Sequence, residues 1–427
     1  MEEVYNSHHV STIEEMRGLI NMNTLSGSKR TRLALMLGAL GAMGPLTIDM
    51  YLPAFPTIAA DLMTSASSVQ LSLTACLLGL GLGQLMNGPL SDVHGRKKPL
   101  VIALIAYAIA SFAIAFSPNI YVLIGLRFLQ GFSASAGIVI SRAIVRDSYS
   151  GRELTKFFAL LMLISNLAPI LAPIVGSTIL LFTDWNGVFI VLGIVGILLF
   201  ALITLRLEET LPEQSRVPNN IGETVKNFKS LITNQQFLGY SLAQGFMIAG
   251  VFAYVSGTPF VYQNIYGFSE QEFSYLFGLN GIGLIIGTQS VGRLSHRISE
   301  RQFLLYGLSQ AVTAGAVLTI TVLLDGPFFF VALPLFFFVM SIGMVATASF
   351  SLAMQTQGHI AGSASAFLGM LPLVLGSLTA PLVGIAGEYS AVPMGLIILS
   401  ASILALVAYF GLARRAEKKA DELFRES

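Results

Sequence analysis

An all-α membrane protein, with twelve transmembrane helices in two bundles of six, is the fold class this sequence predicts. Three observations predict it. Of its 427 residues, 54% are hydrophobic and only 11% are charged, whereas soluble domains carry about a quarter charged residues. Apolar runs near twenty residues recur along the chain, each long enough to cross a hydrocarbon core of about 30 Å. One long polar stretch, 206–236, divides those runs into six and six.

In chain order, residues 1–32 are polar and lack an apolar core, so they read as a cytosolic extension rather than a signal peptide. Spans at 33–58, 70–90, 99–117, 120–142, 157–182 and 186–205 make the first bundle, 33–205. The stretch 206–236 is a cytosolic linker. Spans at 237–262, 272–294, 302–324, 327–352, 362–386 and 391–412 make the second bundle, 237–412, and 413–427 form a cytosolic tail. Orientation follows from the bases. With both termini inside, the outer connections hold no lysine or arginine, only acids such as Asp61, Asp184, Glu270, Asp325 and Glu388. That asymmetry is the positive-inside pattern.

Several function classes drop out. Net charge is +1, which gives no reason to expect a nucleic-acid partner. The single cysteine, Cys76, lies inside an apolar run, so no disulfide framework or thiolate cage is available. All five histidines fall in polar segments and none makes the His-Glu-x-x-His pattern of a metalloprotease. An ATP-driven pump needs a Gly-x-x-x-x-Gly-Lys-Ser/Thr loop, which is missing, and "GLGLG" (79–83) lies mid-helix with no strand before it. The chain reads as a transporter and not an enzyme.

Two internal patterns support a duplicated architecture. "GPLSDVHGRKK" follows the second span and "GRLSHRISERQ" follows the eighth, six spans apart. Small residues also repeat at four-residue spacing: Ala75, Gly79 and Gly83; Ala168, Ala172 and Gly176; Gly283 and Gly287; Gly376, Ala380 and Gly384. Such faces let helices approach closely in lipid. They fall on every third span, as expected if equivalent helices of the two halves meet along a seam. The alternative is the general abundance of glycine in membrane helices.

The motifs carry a resemblance. "GPLSDVHGRKKPL" (88–100) resembles the Gly-x-Leu-x-Asp-x-x-Gly-Arg-Lys/Arg signature of major facilitator transporters. "RFLQGFSASAG" (127–137) is similar to their fourth-span motif. "APILAPIVGS" (168–177) is similar to the fifth-span motif of drug/proton antiporters, carried here by Pro169, Pro173 and Gly176, with Ser177 where a second glycine is usual. "PLTIDMYLPAFPTIAADL", "YVSGTPFVYQNIYGFS", "YLFGLNGIG" and "AGSASAFLG" resemble the bicyclomycin/chloramphenicol-resistance (Bcr/CflA) branch of twelve-span efflux pumps. The resemblance implies the major facilitator fold and proton-coupled efflux of small amphipathic drugs from a bacterial cell membrane. It further implies a latch in which Asp92 links the halves and Arg96 ties it to the end of span four near Asp147. Gly88, Gly95 and Lys97 complete the motif, and Lys97 and Lys98 also suit orientation and lipid headgroups. A facilitator or symporter of a small metabolite is the competing reading.

Two charges remain at membrane depth, Asp49 and Arg127, and each costs about 2.5–3.5 kcal/mol near the bilayer centre. At about 1.5 Å per residue, Asp49 lies roughly 24 Å along its span and Arg127 roughly 10 Å from the outer surface. Arginine stays protonated, whereas a carboxyl in a dry site can be neutral or charged. A carboxyl that loses its proton when the cavity opens to the cytosol suits an antiporter, so Asp49 and Arg127 are the candidate proton-coupling pair. Two other readings stay open: a fixed ion pair between them with no titration during turnover, or Arg127 snorkelling to the outer headgroups. Gln130, Gln244, Tyr254, Phe260 and Asn280 join Asp49 and Arg127 as candidate substrate contacts; the alternative for each is bonding or packing between helices. No cofactor is expected beyond the proton gradient, and the expected partners are a small-molecule drug, protons and the bilayer, with the protein a monomer.

Overall fold

In the computed structural model the described residues are 27–149, 151–216, 221–355, 357 and 360–426, and among them all regular structure is helical. Residues 1–26 of the expected N-terminal extension lie outside them. The first-span helix, α1 (Gly27–Asp49), starts six residues before the expected Leu33. A short 3-10 turn (Leu52–Ala54) and α2 (Phe55–Asp61) continue it. Then come α3 (Ala66–His94), α4 (Lys97–Ala115), α5 (Ile120–Ser148), α6 (Gly151–Leu180) and α7 (Trp185–Arg206). The second half holds α8 (Ile221–Thr233), α9 (Gln235–Phe260), α10 (Glu270–Leu294), α11 (Glu300–Leu323) and α12 (Phe329–Met354). It ends with α13 (Ala361–Thr379), α14 (Val392–Ala408) and α15 (Arg415–Glu426).

Ten helical segments among the described residues are long and apolar enough to cross a membrane. Helices α6 and α10 occupy the two other expected spans; in α6 the qualifying apolar stretch is the shorter Leu167–Leu180. Side-chain caps set several helix starts by satisfying free N–H groups. Ser65 accepts from Ser68 N at 3.2 Å and Asn119 from Tyr121 N at 3.1 Å. Ser269 with Glu272, and Ser299 with Gln302, form reciprocal capping boxes.

Packing repeats between the halves. In the first, α1 packs on α5, α6 and α7, α3 on α5, and α4 on α5 and α7. In the second, α9 packs on α12, α13 and α14, α10 on α12, and α11 on α12 and α14, which is the same pattern shifted by six spans. Across the halves, α3 meets α13 and α6 meets α10.

Those are the helices expected at the seam, but most of the expected glycines are not what joins them. A Cβ on Gly79 would strike the Phe128 carbonyl of α5, and Gly83 approaches Phe132 and Ser135 of the same helix. Gly176 abuts Met50, Gly283 and Gly287 abut α12, and Gly376 abuts Phe252 of α9, all within one half. Of the small residues expected there, Gly384 does meet the other half, at Ser67 and Gln70. Gly278 and Gly281 against Ile170, and Gly369 against Gln84, are further seam glycines. Four-residue spacing identifies a close-packing face but not its partner.

The expected linker and tail each hold a helix. The linker contains a helix, α8, whose Leu231 is fully buried and whose Phe228 meets Phe367 of α13 edge-on at 5.7 Å. The expected tail continues the last span through a π-helical turn (Tyr409–Arg414) into α15. There Glu417 bonds Tyr240 at the start of α9 and pairs with Arg301 at the start of α11.

Candidate functional site: a buried carboxyl at a helix break

Pro53 determines where the first span breaks. A proline ring in a helix clashes with the carbonyl four residues earlier, here that of Asp49. The helix accordingly ends at Asp49, and the chain crosses Met50 and Tyr51 before the 3-10 turn. The carboxyl of Asp49 is thereby held at an interrupted helix, 5% exposed. It makes no hydrogen bond or ion pair among the described residues, and it lies within electrostatic reach of Cys76 in its own half and Tyr254 in the other.

Arg127 is fully buried and belongs to a different environment. Its guanidinium donates to Thr47 O at 3.0 Å and Gln130 Oε1 at 2.5 Å, and its Cζ lies 4.1 Å from the centre of the Tyr51 ring. Gln130 Nε2 donates to Ser111 Oγ at 2.8 Å, and Thr47 and Tyr107 share a hydroxyl contact of 2.8 Å. Four helices of one half, α1, α3, α4 and α5, thus contribute to one polar cluster, since Tyr51 also bonds Ser72 of α3 at 3.2 Å. The expected face shared by Arg127 and Gln130 is present. No ion pair joins Arg127 to Asp49, and Arg127 does not snorkel, because its buried head bonds inside the bundle through both terminal nitrogens.

Opposite Asp49, Asn280 Nδ2 donates to the Tyr254 hydroxyl at 3.0 Å, and the Tyr254 ring stacks on Phe277 at 5.1 Å. Gln244 presents a buried Oε1 with no partner among the described residues, whereas most buried polar atoms are bonded. Phe260 sits elsewhere: it meets Phe55 across the halves at 6.0 Å, in the contact that closes the end opposite the chain termini.

That closed end is stitched by direct bonds between the halves. Thr57 donates to Glu270 at 3.2 Å, Gln263 to Pro53 O at 2.9 Å and Gln271 to Ser177 O at 3.2 Å. Ser67 donates to Pro381 O at 2.9 Å, Gln70 to Ser256 O at 3.0 Å and Thr74 to Ser377 O at 2.9 Å. Burial and the Thr57 bond pull the Glu270 carboxyl in opposite directions; burial wins, raising its pKa.

At the other end the signature motif forms a cluster within the first half. Arg96 Nε donates to Asp147 Oδ2 at 2.8 Å, and its Nη1 reaches Ser91 Oγ at 2.8 Å and pairs with Asp92. Burial opposes the charge of Arg96, but the bonds to Asp147 and Asp92 outweigh it and raise the pKa. Asp92 is half exposed, and Arg96 is its bonding partner among the described residues. The sequence reading missed Glu209. Its carboxylate accepts from Arg96 N at 2.8 Å and Lys97 N at 3.1 Å, and Lys97 Nζ donates to Thr204 O at 3.0 Å. Burial pushes the Glu209 carboxyl up, but these backbone donors prevail and hold it below the usual range. Gly95 adopts φ +86° and packs against that carboxylate, while Gly88 approaches Val139. An acid three residues after the end of α7, facing a basic bend, was the available signal.

Pro169 and Pro173 lie inside α6, where Ala172 is fully buried, and a Cβ on Gly176 would meet Met50 O beside the break in the first span. The fifth-span motif therefore packs directly behind the Asp49 turn.

A family model described as Major Facilitator Superfamily matches residues 36–381. The chain belongs to the major facilitator superfamily. It is 54% identical over 391 residues to an uncharacterized MFS-type transporter, YdgK, of Bacillus subtilis, covering 91% of this chain and 97% of that one. It is 32% identical to a bicyclomycin resistance protein homolog of Haemophilus influenzae, covering 89% and 96%. A chloramphenicol resistance protein of Pseudomonas aeruginosa is 29% identical, covering 84% and 85%. Among solved structures, an inward-facing bacterial homolog of the lysosomal transporter Spinster aligns with a TM-score of 0.73 at 14% identity, over 92% of this chain and 99% of that one. As a major facilitator protein with bacterial relatives, this is a multi-span transporter of the bacterial cell membrane and not an enzyme.

Proposed function

We propose that the protein is a proton-coupled antiporter that expels small amphipathic drugs, of the bicyclomycin or phenicol type, by alternating access. Two six-helix bundles of twelve spans, with both termini cytosolic, rock about the region between Asp49 and the Tyr254–Asn280 pair. The protein acts as a monomer and draws on the proton gradient, without a cofactor. The observation that carries this reading is Asp49: a buried carboxyl without a bonding partner among the described residues, at a helix break, beside the opposite half. A permanently ionised carboxylate there is costly, whereas one that alternates between protonated and ionised forms as access changes is a coupling device. Arg127 supports it from behind by fixing the backbone at Thr47 and the Tyr51 ring. Gln244, Asn280 and Tyr254 offer hydrogen bonds to a drug, and relatives named for bicyclomycin and chloramphenicol resistance favour that substrate class. In this reading the described conformation is closed on the outside, and the exposed Asp92 is released from the second half.

Everted membrane vesicles test it. Chloramphenicol and bicyclomycin should accumulate inside vesicles containing the protein only while the interior is acid, and collapse of the pH gradient should abolish accumulation. Equilibration that ignores the gradient would favour a facilitator instead.

A further inference from the structure

Away from that site, a groove of about 400 Å³ opens between α3, α4 and α5 on the first half. Lys98 and His94 stand at its rim, Ala103, Ala106 and Leu129 line it, and Ser133 lies in its wall. From Lys98 to Ala106 it runs about 12 Å along α4, most of the ~15 Å that one leaflet contributes to the hydrocarbon core. Small side chains on α4 leave this space. Alanines at 103 and 106 face larger residues of α3 and α5 across the groove.

The polar groups are not committed elsewhere. Lys97 is spent on the Thr204 carbonyl at 3.0 Å, but the ammonium of its neighbour Lys98 has no partner among the described residues. No carboxylate lines the groove. Asp92, two residues before His94, is paired with Arg96. His94 bonds Leu90 O through Nδ1 at 3.1 Å, and its other ring nitrogen has no partner among the described residues. Ser133 is 3% exposed, and its hydroxyl likewise has no partner among the described residues.

We propose that this groove is a binding site for an anionic phospholipid of the cytosolic leaflet, its phosphate at Lys98 and His94 and one acyl chain laid along Ala103 and Ala106. A basic rim above an apolar slot at the level of the headgroups matches that molecule in both charge and shape. A neutral amphipath or a detergent would use the slot but not the rim. The site rests on the membrane placement of α3, α4 and α5, and is independent of the drug-export reading.

Native mass spectrometry of the purified protein, given equal amounts of dioleoyl phosphatidylglycerol and dioleoyl phosphatidylcholine, tests the assignment. The parent should retain phosphatidylglycerol preferentially. Lys98→Gln should lower that preference roughly five-fold, as removal of one lysine near a charged lipid surface implies. Ala103→Trp, which fills the slot, should reduce retention of both lipids, while Arg293→Gln, removing an exposed base at the same end, should change nothing. Thermal melts confirm that each variant is folded. Equal retention of the two lipids by the parent would mean a slot without headgroup recognition and would overturn the proposal. So would unchanged binding in both Lys98→Gln and Ala103→Trp.

Discussion

At Gly95 the backbone takes φ +86°, and a Cβ there would lie 2.5 Å from Glu209 Oε2. Both features exclude a side chain. Gly95→Ala should cost about 1–3 kcal/mol through the strained backbone, read as a lower melting temperature of the purified protein. Glu209 makes a separate, pH-dependent contribution. Its folded carboxyl lies below the ordinary value because backbone donors of Arg96, Leu211, Lys97 and Thr210 outweigh burial. Its stabilisation is therefore complete above about pH 4.3 and is lost as the pH falls through the depressed folded value. Melts on either side of that point should show Glu209→Gln less stable than the parent at the higher pH and converging with it in acid. At this scale the sequence was legible where a residue is costly: Asp49 and Arg127 stood out because charge at membrane depth is rare. Their separation was not legible, since it depends on Arg127 finding Thr47 O, Gln130 and the Tyr51 ring. Glu209 was passed over because an acid just past a span also reads as a solvated loop residue.

Helices meet across the halves through a few glycines, and Gly384 is the tightest test. A Cβ there would be 2.5 Å from Gln70 Oε1 and 2.6 Å from the Ser67 backbone nitrogen. A side-chain tip can swing aside, but a helix backbone cannot, so Gly384→Ala should splay α3 from the 3-10 segment Ala380–Ala386 that follows α13 and open the end closed by Phe55 and Phe260. In a Cys76→Ala, Phe260→Cys background, adding Gly384→Ala should raise the rate of maleimide labelling from the outer face. An unchanged rate would show that the contact does not hold that end shut. Hydropathy located every long helix to within several residues, because crossing lipid demands an unbroken apolar run. It missed α8 and α15, whose one-sided burial of Leu231 or pairing through Glu417 depends on neighbours rather than on length. The break after Asp49 was written in the sequence as Pro53, four residues on, although the apolar run continues unchanged across it.

On the scale of the whole molecule, the pairing of α1 and α3–α7 is repeated by α9–α14, which the short Gly-x-Leu-Ser match foreshadowed. Such a pair of like bundles moves as two bodies about the residues between them. In the proposed mechanism Asp49 and Tyr254, one from each first helix of a half, occupy that place. The central claim is that drug and proton compete through the Asp49 carboxyl. Proton release from purified protein in weakly buffered solution, on adding bicyclomycin or chloramphenicol, measures it most directly. The parent should release protons as the drug binds. Asp49→Asn keeps the volume of the side chain and mimics its protonated form, so it should bind drug more weakly than the parent and, at saturating drug, release few protons or none. Release from Asp49→Asn equal to that of the parent would contradict the account and place the coupled proton elsewhere.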